Sequence, residues 1–287
     1  MTFTERRRNY RRLLADGRCF YPASVFDAVS ARLAEACGFE IGMLAGSVAA
    51  GTVLGAPDIV VLTLGEFAEQ ARRITRAGTL PIMVDADHGY GNALSVMRTV
   101  EELEGAGVAA LTIEDTHLPR QFGQGPNDEF ISVEEFAGKL RAAVAARNDP
   151  ELVIIGRCGV LPSQGEEGVL TRIKACEASN VDAVFLTGVK SRAEVSALQQ
   201  MTALPIVLGT IPPELQDREL LASHGVRIAL QGHMPFQAAI GALHRAYEHL
   251  RGGGLPADLE EHAATPAVMS LALDQVGYRE RADKYLK

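Results

Sequence analysis

The chain has 287 residues, 47% of them hydrophobic and 22% charged, which is enough apolar material for a full-sized core and excludes both disorder and a small disulfide-stapled scaffold. Acidic residues outnumber basic ones 36 to 28, and a formal charge of −8 disfavours any grip on a phosphate backbone, so nucleic acid is not an expected partner. The four cysteines, Cys19, Cys37, Cys158 and Cys176, form no C-x-x-C pair and read as reduced thiols of a cytoplasmic protein. The basic N-terminus lacks the apolar stretch of a secretory signal, and the apolar runs are strand-length, well short of the roughly 20 residues of a membrane helix.

In chain order, short apolar runs begin near Cys19, Glu40, Pro81, Ala110, Leu152, Ala183, Pro205 and Arg227, each reading as a strand. Between them lie segments of helical period; in one, Phe136, Leu140 and Val144 recur every four residues. Hydroxyl residues followed three places later by glutamate (Thr63 and Glu66, Ser132 and Glu135, Ser163 and Glu166, Ser191 and Glu194) predict capping boxes at helix starts. Eight strand-helix pairs with strands buried on both faces predict a closed (β/α)8 barrel in preference to an open doubly wound sheet. The G-x-G at Gly89 and Gly91 has Leu94 where a dinucleotide site needs its third glycine, so nucleotide binding is not expected. Residues 252–256 read as a hinge between this single barrel domain and C-terminal helices over 257–287.

Barrel sites form at the carboxyl ends of the strands, so polar residues at those ends are the candidates. The third run ends Asp85-Ala86-Asp87-His88-Gly89-Tyr90-Gly91-Asn92, and a strand period of two predicts Asp85 and Asp87 on one face. The fourth ends Glu114-Asp115, bringing one or other carboxylate beside them, and Asp58 lies in the loop after the second. An all-oxygen cluster suits a hard cation such as Mg2+; the alternative is that an aspartate caps the following helix. Arg157 ends the fifth strand, either to grip a substrate carboxylate or to pair with the acidic cluster. Gly46-Ser47 ends the second strand as an anion-binding turn or a plain one, and His233 follows the eighth as a catalytic or a merely hydrogen-bonded histidine. His88, His117, Cys19 and Cys158 read as structural.

The segments Asp85–Asn92, Ile113-Glu114-Asp115 and Gly46-Ser47 resemble the isocitrate lyase/phosphoenolpyruvate mutase superfamily. More closely, ASVFDAVSARLAE, GSVAAGTVLGAPD, the long run from Asp85 to Gly123 and the late QGH are similar to its oxaloacetate decarboxylase branch. The resemblance implies a (β/α)8 barrel with Mg2+, or Mn2+ in its stead, held directly by Asp85 and through water by Asp58, Asp87 and Glu114. It implies that Ser47, Arg157 and His233 meet the substrate; Gly46 is expected beside Ser47 at the substrate, Arg157 and His233 are expected to serve catalysis, and the expected reaction is decarboxylation of oxaloacetate to pyruvate and CO2 through a metal-stabilised enolate. It further implies a homo-oligomer, a dimer of dimers with a C-terminal helix exchanged between subunits.

The loop from His117 to Asp128 has neither the cysteine of the isocitrate and methylisocitrate lyases nor the lysine of the mutase and phosphonopyruvate hydrolase branches, which favours decarboxylation. Departures from the resemblance are Cys158-Gly159 after the arginine, expected to widen the pocket, and Thr210 where the branch has a tyrosine. The remaining alternatives are another carbon-carbon lyase or hydrolase of a small 2-oxo or 2-hydroxy dicarboxylate, and a non-catalytic metabolite-binding barrel.

Overall fold

The computed structural model describes residues 1–125 and 128–287. Helix α1 (Phe3–Ala15) precedes eight strands: β1 (Ala23–Ser24), β2 (Gly42–Leu44), β3 (Ile82–Asp85), β4 (Ala110–Glu114), β5 (Val153–Cys158), β6 (Ala183–Leu186), β7 (Ile206–Leu208) and β8 (Val226–Ala229). Each pairs in parallel with the next. Phe20, just before β1, bridges Ile228 of β8, donating its N–H to Arg227 at 2.8 Å and accepting from Ala229 at 3.0 Å, so the ring closes. All eight expected strands are present and the architecture is the expected barrel.

The strands carry runs such as Ile-Met-Val and Val-Ile-Ile because both of their faces are buried, one in the barrel interior and one under the helices. Those helices are α2 (Ala28–Ala36), α3 (Gly46–Leu54), α4 (Leu64–Thr75), α5 (Ala93–Gly105), α6 (Val133–Ala146), α7 (Leu161–Ala178), α8 (Arg192–Met201), α9 (Arg218–Ser223) and α10 (Met234–Arg251). On α6 the predicted stripe points inward, with Phe136 and Leu140 fully buried and Val144 packed at their margin.

Helix α1 closes the amino end of the barrel. Its Arg7 donates to the Val108 carbonyl at 3.0 Å and to Asp149 at 2.7 Å, and Arg11 reaches Asp182 at 2.9 Å. These partners precede β4, β5 and β6, so the opposite, carboxyl end is the open one.

Thr63 with Glu66 and Ser191 with Glu194 form full capping boxes, while Ser132 accepts from Glu135 without the reciprocal bond. The box expected from Ser163 and Glu166 does not form. Pro162, with fixed φ and no N–H to satisfy, starts α7 earlier behind Val160, and Gly165 at φ 62° breaks the helical path before Glu166. Two boxes not foreseen, Thr2 with Glu5 and Asp27 with Ser30, start α1 and α2.

After Gly252 caps α10 and Gly253 turns left-handed at φ 90°, a 3-10 stretch (Pro256–His262) leads to α11 (Pro266–Ala272) and α12 (Gln275–Tyr285). Helix α11 packs on α2, where Ala272 is buried and its carbonyl accepts from Arg32 at 3.2 Å. Among the described residues, no helix is long and apolar enough to cross a membrane.

Candidate active site

The open end of the barrel holds a cavity of about 690 Å³. Asp58, Asp85, Asp87, Glu114, Arg157, Ser47 and His233 all line it, so seven of the eight residues singled out in the sequence converge there.

Asp85 is the last residue of β3 and only 7% exposed. One of its oxygens accepts from the Thr112 hydroxyl at 2.8 Å, and the other meets the Arg157 guanidinium. Asp87 arrives by a route different from the expected strand period. The strand has already ended, and Asp87 takes a left-handed φ of 47° that swings its carboxylate back over the mouth. Its N–H donates to Asp85 at 3.3 Å and its carbonyl accepts from the Glu114 N–H at 2.9 Å. Neither aspartate caps α5; Asn92 does, accepting from Leu94 and Ser95. Of the adjacent carboxylates at the end of β4, Glu114 faces the cavity and Arg157, 3.1 Å from its Nε, whereas Asp115, just past the strand, points outward with no exposure. Asp115 accepts from the Gly159 N–H at 3.0 Å and lies 3.4 Å from Arg172.

Gly46 and Ser47 do not form a turn at the strand end; they open α3, a helix unforeseen because GSVAAGTVL carries no side-chain cap and little amphipathic contrast. Gly46 itself does not line the cavity. It packs so closely under Asp87 that a Cβ would stand 2.7 Å from Oδ1. Ser47 sits one residue into the helix, where backbone N–H groups are free to meet an anion. His233 shares a hydrogen bond of 2.9 Å between Nδ1 and the Ser24 hydroxyl at the end of β1.

Four carboxylates thus face one guanidinium. Burial, then Asp85 and Glu114, hold the Asp87 carboxyl well above its ordinary range; burial pushes Glu114 up to about 7 against the pull of Arg157. Asp58 is raised by burial and by Asp85. Burial opposes the Arg157 charge, yet Asp85, Glu114 and Asp87 outweigh it and raise that group further. Burial lowers His233 while Asp85 and Asp58 resist. Such an excess of buried negative charge is relieved by a cation. The donor set is entirely oxygen, which suits Mg2+ rather than zinc. Among the described residues no three acidic, imidazole or thiol groups stand close enough to grip one ion together.

Cys158 and Gly159 do not widen the cavity. Strand alternation turns Cys158 away from Arg157 into the layer beneath the helices, near Cys176, and the space beside Gly159 is taken by Phe130 at 3.2 Å from a notional Cβ. Thr210 and Gly209 do line the wall. The loop after β4 contributes Thr116, Leu118, Pro119, Arg120 and Asp128; its Pro126 and Asn127 lie outside the described residues. Three contributors were missed in the sequence: Thr112, Ser24 and Phe185, whose ring lies 5.4 Å from the Arg157 guanidinium. The signal for Thr112 was available, since it stands two residues before Glu114 and so on the same face.

The profile of the phosphoenolpyruvate phosphomutase family matches residues 10–251. An oxaloacetate decarboxylase of Bradyrhizobium diazoefficiens is 52% identical over 260 residues, 91% of this chain and 90% of that protein. Phosphonopyruvate hydrolase in complex with oxalate and Mg2+ superposes with a TM-score of 0.87 at 28% identity, covering 100% of both chains. Oxaloacetate acetylhydrolase bound to 3,3-difluorooxalacetate gives a TM-score of 0.87 at 25% identity over 99% of this chain and 97% of that one. With a family match across most of its length and a barrel mouth carrying the acidic cluster, the chain belongs to the phosphoenolpyruvate phosphomutase family.

Proposed function

We propose that this protein is a Mg2+-dependent carboxy-lyase that converts oxaloacetate to pyruvate and CO2. The observation that carries the reading is the juxtaposition of Asp85, Asp87 and Glu114 with Arg157 in one cavity, in a chain 52% identical to an oxaloacetate decarboxylase. Asp85, with Asp58, Asp87 and Glu114 around it, would hold the ion. When bound, Mg2+ supplies a Lewis acid that polarises a 2-oxo group and offsets the charge gathering on it as CO2 leaves.

The protein's own groups supply the rest. Arg157, charged at any working pH, and the N–H groups at the start of α3 with the Ser47 hydroxyl bind the carboxylate next to the ketone and fix the orientation of the C3–C4 bond. The hydrogen bond shared by the Ser24 hydroxyl and Nδ1 fixes the His233 ring, which relays a proton from water to C3 after CO2 departs. The loop after β4 contains neither a lysine nor a cysteine, which favours decarboxylation over the neighbouring chemistries. The enzyme is cytoplasmic and assembles as a dimer of dimers, with residues 252–256 acting as a hinge to an exchanged C-terminal helix. In support, α10 buries none of its residues, and Ile240, Leu243, Tyr247 and Leu250 form an exposed apolar stripe.

The test follows pyruvate formed from oxaloacetate with Mg2+ and with chelator, corrected for metal-catalysed background. Turnover lost on chelation and in Asp85→Ala is the expected result. Full turnover in either condition removes the metal reading, and none above background in the metal-loaded protein removes oxaloacetate as the substrate.

A further inference from the structure

Lys139 is 3% exposed, on the inner face of α6. Burying an ammonium is costly without a carboxylate partner, and a methionine of the same length would fill the space without that cost. Among the described residues Lys139 makes no ion pair. Its one hydrogen bond runs from Nζ to the backbone carbonyl of His88 at 3.1 Å.

That carbonyl belongs to the turn that carries Asp87. Asp87 at φ 47° is a non-glycine residue in the left-handed region, a conformation that persists only where its surroundings impose it. Three successive carbonyls are held from three different elements. Asp87 accepts from the Glu114 N–H of β4 at 2.9 Å, His88 from Lys139 of α6, and Gly89 from the Thr99 hydroxyl of α5 at 3.0 Å. Among the described residues the His88 Nδ1 is buried without a partner, so it does not hold the turn. Lys139 supplies the one charged donor, and a charge-assisted bond to a carbonyl is stronger than its neutral neighbours.

We infer that Lys139 is a positioning residue: its ammonium pins the Asp87-His88 turn from behind and thereby sets the Asp87 carboxylate toward the metal. The inference rests on the reading of Asp87 as a Mg2+ ligand through water. It is separable from a purely electrostatic role by sign. Lys139 stands close enough to Glu114 to act on it through space, so deleting its charge alone strengthens the attraction of the cluster for a cation. Loss of positioning weakens it. A role in packing alone lowers stability and leaves metal affinity unchanged.

The test measures Mg2+ binding by calorimetry on chelator-stripped full-length protein, for the wild type, Lys139→Met and Lys139→Gln. Methionine removes both donor and charge, whereas glutamine keeps an N–H donor. Lys139→Met is expected to bind Mg2+ about tenfold more weakly and Lys139→Gln to recover most of that loss. Unchanged or tighter binding by Lys139→Met, or a glutamine variant as weak as methionine, overturns the inference. A wild-type protein that does not bind Mg2+ overturns the metal reading beneath it. Should Lys139→Met fail to fold, Thr99→Val releases the next carbonyl of the same turn without changing shape; weaker Mg2+ binding is expected there too, and unchanged affinity overturns the inference.

Discussion

Gly46→Ala adds a single methyl group beneath Asp87, and its consequences are calculable. The Cβ would stand 2.7 Å from Oδ1 and 3.0 Å from Oδ2, whereas ordinary contact begins at 3.4 Å, so the carboxylate must retreat by about 0.7 Å. The Asp87 backbone cannot absorb this, because its carbonyl is tied to the Glu114 N–H at 2.9 Å; the displacement falls on the side chain. A misplacement approaching 1 Å in a catalytic constellation costs up to about 100-fold, so kcat/KM is expected to fall by about 10- to 100-fold and the Mg2+ concentration for half-maximal rate to rise. The helix itself should not suffer. Gly46 begins α3 without a positive φ, and alanine favours a helix over glycine by up to about 1 kcal/mol. The assay pairs steady-state decarboxylation across a Mg2+ titration with a thermal melt. A variant with wild-type kcat/KM and an unchanged Mg2+ requirement would refute the argument, as would an activity loss explained by a lowered Tm.

Thr112→Val removes the hydroxyl that donates to Asp85 at 2.8 Å, and a looser carboxylate should raise the Mg2+ requirement several-fold with little change in kcat at saturation, read from the same titration. Ser24→Ala frees His233 Nδ1 and should lower kcat while leaving Mg2+ affinity unchanged, measurable by calorimetry alongside turnover. Asp115→Asn keeps an acceptor for Gly159 but leaves Arg172 buried without its counter-charge, which should cost about 3 kcal/mol in denaturant unfolding. In the metal-free protein, Glu114 is raised from an ordinary 4.5 to about 7, so the folded state binds the extra proton between those values. Stability is then fully favoured below about pH 4.5 by this group and lost as pH rises through about 7, and a melt series in chelator should decline across that window.

The barrel was legible because its signals are local and repeated: eight β-branched runs, each followed by a helical period, admit few arrangements. Most mouth residues were legible because polar side chains interrupting apolar runs at strand ends mark the open end of a barrel, although Asp115 beside Glu114 faces outward. What escaped reading was conformation that depends on neighbours. Asp87 reaches the cavity through a left-handed turn held by β4, α5 and α6, and no spacing in Asp85-Ala86-Asp87 reveals that. Helix α3 escaped because a run of small residues has weak contrast between faces. The expectation at Ser163 failed where Pro162 competed for the same helix start. Cys158 was misplaced by adjacency to Arg157, although alternation along β5 sends the two to opposite faces.

The pairing of Phe20 with Ile228 also governs how the molecule is made. As the chain leaves the ribosome, β1 through β7 can zip successively, each onto the last, but the outer edge of β1 has no neighbour until more than 200 further residues have been synthesised. Until then the growing sheet has two bare edges, one ageing at β1 and one renewed with each added strand. One feature limits that exposure: β1 is only two residues long.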